Sequence, residues 1–218
     1  MTSIAKEVSK LIEQDVIIRR AMEKGIVSMN SLAVHIIKEN HLNASVDAVV
    51  SAIRRHKEEN LVEKSYEKAK EVLSKSTDIR ITTNIVEISI EKSQETQKIL
   101  QKAFSMVNYD KGEILLIVQG EKSIKIILNS SNREKIASLF SKKSILYVES
   151  NLAEINVQLS EEAVKTPGIV ATITTEFMLH GINLYESVSC IPEMMFFVKQ
   201  KDLMKSYEIL SNLIKMQD

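Results

Sequence analysis

Two groups of residues in this 218-residue sequence have the types and spacing for binding chemistry. The first is Thr166-Pro167-Gly168-Ile169-Val170, which stands just before a helical pattern. Proline fixes φ at a helix entrance, where its missing N–H costs nothing. Glycine lets a backbone approach a ligand closely. The first-turn N–H groups near Gly168 to Ala171 have no intrahelical partner and favour a carboxylate, which an amino acid supplies. A plain strand-to-helix turn would use the same Pro-Gly step. At the other end of the pattern, Gly181-Ile182-Asn183 closes the helix. Gly181 suits the C′ position, and Asn183 either faces a ligand or caps the turn.

The second group is Asp47, Ser51, Arg54, Arg55 and Lys57, all in one helical stretch. From a recognition helix, Arg54 and Arg55 could reach phosphates or a guanine edge. Their late position suits phosphate anchoring and leaves Asp47 and Ser51 nearer to any base edge. A solvated charged face is the competing reading. Residues 1–77 hold 13 Lys/Arg and 11 Asp/Glu, a formal +2, so a DNA-binding claim rests on a local surface.

No reaction chemistry is evident beside these. His35, His41, His56 and His180 are scattered, without metal spacing to a carboxylate or cysteine. There is no phosphate-cradling glycine loop and no nucleophile elbow. The expectation is a chain that is not an enzyme, with no catalytic residue, no metal and no cofactor. Cys190 is the only cysteine, so no disulfide forms within the chain, which fits a cytoplasmic location. Its commonest role is that of a small core residue. The opening is charged throughout, which argues against a signal peptide. No apolar run approaches a membrane span. Net charge is zero and hydrophobic residues make up 44%, enough for a sizeable core.

The elements that would position these residues change character near residue 78. Before it, apolar residues recur at helix spacing, as in Ile4, Val8, Leu11 and Ile12. Asp15, Ser28 or Asn30, and Ser45 are N-cap candidates for successive helices. The third and fourth helices, joined by His41 to Ala44, have the outline of a helix-turn-helix. After residue 78, short β-branched runs alternate with helix patterns. Strands are predicted over 85–90, 114–119, 123–128 and 145–148, with helices over 94–107 and 132–140. The order then repeats, with strands over 154–159, 185–189 and 194–199 and helices over 168–180 and 202–216. Met194 to Phe197 are expected to alternate between core and interface.

The segment Thr166 to Leu210 resembles the second ACT unit of aspartokinases, carried by Pro167-Gly168-Ile169 and Gly181-Ile182-Asn183. The first repeat keeps the order of elements and lacks both motifs. The N-terminal words IIRRAMEKGIVSMNSLAVHIIKEN and SVDAVVSAIRRH resemble the winged-helix half of archaeal predicted regulators of amino-acid metabolism, and more distantly the arginine repressor. The resemblance implies an α+β chain: an N-terminal helical (winged) helix-turn-helix domain over 1–77, then two ferredoxin-like βαββαβ ACT units over 78–150 and 151–218. It implies an amino-acid effector held by Thr166, Pro167, Gly168, Ile169, Val170 and Asn183 at an interface between ACT units, with homodimerisation through those units. It implies allosteric, amino-acid-responsive transcription regulation, with Asp47, Ser51, Arg54, Arg55 and Lys57 on DNA. The alternative is a regulatory partner of an amino-acid biosynthetic enzyme that does not bind DNA. The SCIPE segment departs from the aspartokinase pattern, and Pro192 points to an edge or bulge.

Overall fold

The change in texture near residue 78 is a change of architecture. In the computed structural model, which describes residues 3–56 and 61–214, the chain divides into two compact units, Met1–Ala69 and Lys70–Asp218. The first holds helices α1 (Ile4–Gln14), α2 (Val16–Glu23), α3 (Met29–Asn40) and α4 (Val46–Arg55). Helix α5 (Leu61–Leu73) runs on into the second.

Each of the first four helices starts where a short polar side chain can satisfy a free N–H. Ser3 accepts from Lys6 N–H, Asp15 from Ile17 and Ile18, Ser28 from Ser31, and Ser45 from Ala48. Left-handed His41, at φ 51°, ends α3. The apolar stripes meet in one core of Val8, Ile12, Met22, Leu32, Ala33, Ile36, Val49, Val50, Ala52 and Ile53. The described residues of this unit contain helices and no strand. The wing anticipated beside the helix-turn-helix is therefore not found among them.

The second unit is built on a six-stranded antiparallel sheet, with strands β1 (Asp78–Glu91), β2 (Leu115–Gln119), β3 (Ser123–Asn129), β4 (Ile145–Gln158), β5 (Glu186–Cys190) and β6 (Glu193–Lys199). Their order is β2-β3-β1-β4-β6-β5. Helices α6 (Gln94–Phe104), α7 (Arg133–Ala137), α8 (Ile169–Leu179) and α9 (Leu203–Ile214) connect or follow them. The strands expected over 145–148 and 154–159 are one strand, β4. The boundary expected between residues 150 and 151 lies inside it. Likewise β1 starts seven residues before the expected 85 (85 − 78).

These two long strands organise the unit. Each has 14 residues, and each carries an asparagine at φ 58°, Asn84 and Asn151, as its seventh residue. Asparagine tolerates this left-handed conformation better than other residues with a Cβ. The β1–β4 pairing shifts register around Asn84, and Ile85 pairs with Leu152. Residue k of β1 thus corresponds to residue k + 67 of β4 (151 − 84 = 152 − 85). One half of the sheet is β2, β3, the end of β1 and the start of β4. The other is β5, β6, the end of β4 and the start of β1. Among the described residues no strand follows α9, and the beginning of β1 lies beside the end of β4.

Each half packs helices on one face. Val86, Ile88, Ile90, Ile124, Ile126 and Leu128 meet Leu100 and Ala103 of α6 and Ile136 of α7. In the other half Phe177 of α8 meets Phe196 of β6 edge-on, with centroids 5.5 Å apart. The opposite face gathers Ile85, Ile127, Leu152, Met195 and Phe197, with Leu116 of β2 and Val188 of β5 packed against them. Lys125 on β3 bonds Glu186 on β5, four strands away. In a flat sheet those strands would be roughly 19 Å apart. The sheet therefore curls this face onto itself. Met194 to Phe197 are all buried, two on each face, instead of alternating between core and interface.

Candidate functional site

Gly168 stands at the N-cap of α8 with φ 93°, a conformation that glycine adopts at no steric cost. The first intrahelical bond runs from Thr172 N–H to Gly168 O, 2.8 Å. The N–H groups of Ile169, Val170 and Ala171 are thus left without an intrahelical acceptor. Among the side chains proposed for this site, Ile169 is in the core and can offer only its backbone. Thr166 Oγ1 already donates to Glu162 O at 2.8 Å. Val170 is exposed.

At the far end of α8, Gly181 has φ 69° and donates its N–H to Met178 O, while Ile182 N–H donates to Phe177 O. This is the C′ turn read from the sequence. Asn183 follows it and is exposed. Eleven helical residues, about 16 Å, separate the two ends of α8. Within one chain the fold therefore does not bring Asn183 to residues 166–170.

On α4, Val49, Val50, Ala52 and Ile53 face the core. Asp47, Ser51, Arg54 and Arg55 are exposed and fall on one stripe at spacings of four, three and one. Arg55 Nε donates to Ser51 O at 3.0 Å. Ser9 Oγ and His56 Nδ1, 2.7 Å apart, tie α1 to the end of α4. Lys57 lies outside the described residues. Cys190, expected in the core, is exposed at the end of edge strand β5.

Two features were not anticipated. The first is a set of ionisable groups on the curled face. Glu87, only 4% exposed, lies 3.4 Å from Lys125, which also bonds Glu186. Burial pushes the Glu87 carboxyl up, and Lys125 opposes this. Lys199 and Tyr147 both bond Glu149 and hold its carboxyl low. The Glu149 carboxylate pushes the Tyr147 hydroxyl up to about 12. Glu154, at the position equivalent to Glu87 (87 + 67), is also 4% exposed and pushed up by burial. The sequence held this signal: NIVEISI from Asn84 and NLAEINV from Asn151 share one glutamate in an apolar run. The second feature is a cavity of about 310 Å³ lined by Asn84, Ile85, Ser130, Ser131, Arg133, Glu134, Ser150 and Asn151.

The sequence matches no protein-family model. It also matches no curated protein. Solved structures do match. The aspartate kinase of Clostridium acetobutylicum aligns with a TM-score of 0.52 at 20% identity, over 64% of this chain and 35% of that one. The fold is that of aspartokinase regulatory regions. The regulatory subunit of aspartate kinase from Thermus thermophilus aligns with a TM-score of 0.51 at 10% identity, over 63% of this chain and 97% of the subunit. The subunit from Thermus flavus gives 0.52 at 9% identity, over the same shares. The chain thus spans about a third of the Clostridium kinase and nearly all of the separate regulatory subunits. At these identities the likeness speaks for fold.

Proposed function

We propose that this chain is a regulatory protein whose second unit senses an amino acid and whose first unit passes the bound state to a partner. The observation that carries the reading is the fold shared with aspartate kinase regulatory subunits, which align over 97% of their own length. An effector acts in such a protein by binding one arrangement better than another. The chain itself is taken to do no catalysis and to need no cofactor.

The partner we favour is an amino-acid biosynthetic enzyme, since those structural neighbours are themselves subunits of one. The first unit exposes Val16, Ile17 and Val34. Val16 and Ile17 also line a groove of about 580 Å³ with Leu11, Ile18, His35 and Ile36. DNA is the second reading, favoured by the exposed Asp47, Ser51, Arg54 and Arg55 stripe on a capped helix. Pairing of two copies would let the α8 N-terminus of one meet Asn183 of another, and a cytoplasmic homodimer is the form we expect.

A thermal-shift screen of the full chain against the twenty amino acids tests the sensing role, because a ligand of the native state raises its melting temperature. One or a few amino acids should raise it. A flat response to all twenty at millimolar concentration rejects amino-acid sensing.

A further inference from the structure

We infer that the cavity where β1 and β4 change register is an amino-acid binding site complete within one copy of the chain. The inference rests on the amino-acid-sensing reading and gives it a location away from the N-terminus of α8.

The internal repeat supplies the comparison. After β3 the chain makes a 3-10 turn, Ser130–Asn132, and enters α7 at Arg133. After β6 it makes the same turn, Gln200–Asp202, and enters α9 at Leu203. The shift is 70 residues (200 − 130 = 203 − 133), and the backbones agree: φ −54°, ψ −56° at Arg133 and φ −56°, ψ −52° at Leu203. In the second half Leu203 is buried. At this matching place one repeat has a buried apolar side chain and the other an exposed arginine beside the cavity.

The lining fits a small zwitterion. The Arg133 guanidinium reaches Ser150 Oγ only at 3.5 Å. Most of its five donors remain for a carboxylate, which they take in a fork. Glu134, the next residue, supplies the opposite charge for an ammonium group. The side chains of Ser130, Ser131 and Asn151 make no hydrogen bond to another described residue. They offer donors and acceptors to a polar substituent. Ile85, fully buried, gives the cavity an apolar side. A volume of about 310 Å³ lies at the small end of ligand pockets, the size for a free amino acid. The β1–β4 ladder skips Asn84, Ser150 and Asn151, so their backbone is not committed to pairing between these strands.

The test is calorimetric titration of the full chain with each of the twenty amino acids, repeated on four variants. Arg133→Leu reproduces the residue of the other repeat and should weaken the bound amino acid at least tenfold. Glu134→Gln should weaken it while sparing the matching carboxylic acid that lacks the amino group. Lys142→Ala, exposed and outside both candidate sites, should leave the affinity unchanged. Ser131→Phe, which fills the cavity from an exposed position, provides an independent block should Arg133→Leu fail to fold. Wild-type affinity in the folded cavity variants overturns the cavity and leaves amino-acid sensing standing. No binding to the unmodified chain overturns both.

Discussion

Glu154 shows what one buried carboxyl does to this fold. It is 4% exposed and receives a hydrogen bond from Thr82, yet burial dominates and raises its carboxyl above the ordinary value of 4.5. A raised value means that the folded state prefers the protonated form. That share of stability is fully present below the unfolded value and is lost as pH rises through the folded one. Glu154→Gln removes the ionisation and keeps an acceptor for Thr82. At pH 8 the variant should be more stable by on the order of 1 kcal/mol, with a smaller gain at pH 5. Urea unfolding at the two pH values measures this, and a variant less stable than the parent at pH 8 would contradict it. Taken singly, neither buried glutamate was legible, since a lone Glu in an apolar strand also reads as a solvent-facing position; only the pattern shared by NIVEISI and NLAEINV marks the pair. Gly181 was legible, because a positive φ leaves glycine at a fixed offset past a helix end, whereas Gly168, read as part of the first turn of α8, is its left-handed N-cap.

At the scale of elements, β1 and β4 turn at Asn84 and Asn151. A β-branched side chain at φ near 58° is strained by roughly 1–2 kcal/mol, whereas glycine is not. Asn84→Val should therefore lower the melting temperature and Asn84→Gly should leave it close to the parent. Equal effects from the two substitutions would show that the backbone angle is not what selects asparagine. These strands were only half visible in the sequence. Residues 78–82 pair with β4 alone, and that free edge permits the polar, alternating run from Asp78. Glu149-Ser150-Asn151 interrupts the apolar pattern of β4 and reads as a break between two strands. Helix α4, by contrast, was visible from its Ser45 cap and apolar spacing. If its exposed stripe contacts DNA, Arg54→Ala with Arg55→Ala should weaken binding to all sequences about equally and flatten the salt dependence. Binding to the chain's own upstream DNA at two salt concentrations measures both effects. No binding at low salt leaves the enzyme-partner reading alone.

For the whole molecule, the question is what covers the remaining edges. Among the described residues, β2 and β5 end the sheet with unpaired backbone groups. Val170, Met178 and Leu179 of α8 and Met204 of α9 are exposed apolar side chains. Two-fold pairing is the commonest way to cover such surfaces. Sedimentation across micromolar concentrations should show a dimer, and a strict monomer throughout would reject it. The alternation of strands and helices after residue 78 announced a mixed fold. It did not reveal that both repeats share one sheet, because sequence order fixes neither which strand borders which nor how far a sheet curls.

The pairing of the start of β1 with the end of β4 has a consequence during synthesis. Asp78 pairs with Gln158, which the ribosome adds 80 residues later (158 − 78). At typical elongation speeds the wait is roughly 4–16 s. Through that interval the first half of β1 lacks the strand it pairs with in the finished fold. It is the kind of segment that neighbouring nascent chains on a polysome could recruit. Asp78 and Arg80, exposed and ion-paired at 2.9 Å in the finished fold, put charges on the waiting strand. Charged residues on an unpaired strand discourage association with a foreign one. Both charges sit on the part of β1 that pairs with β4 alone.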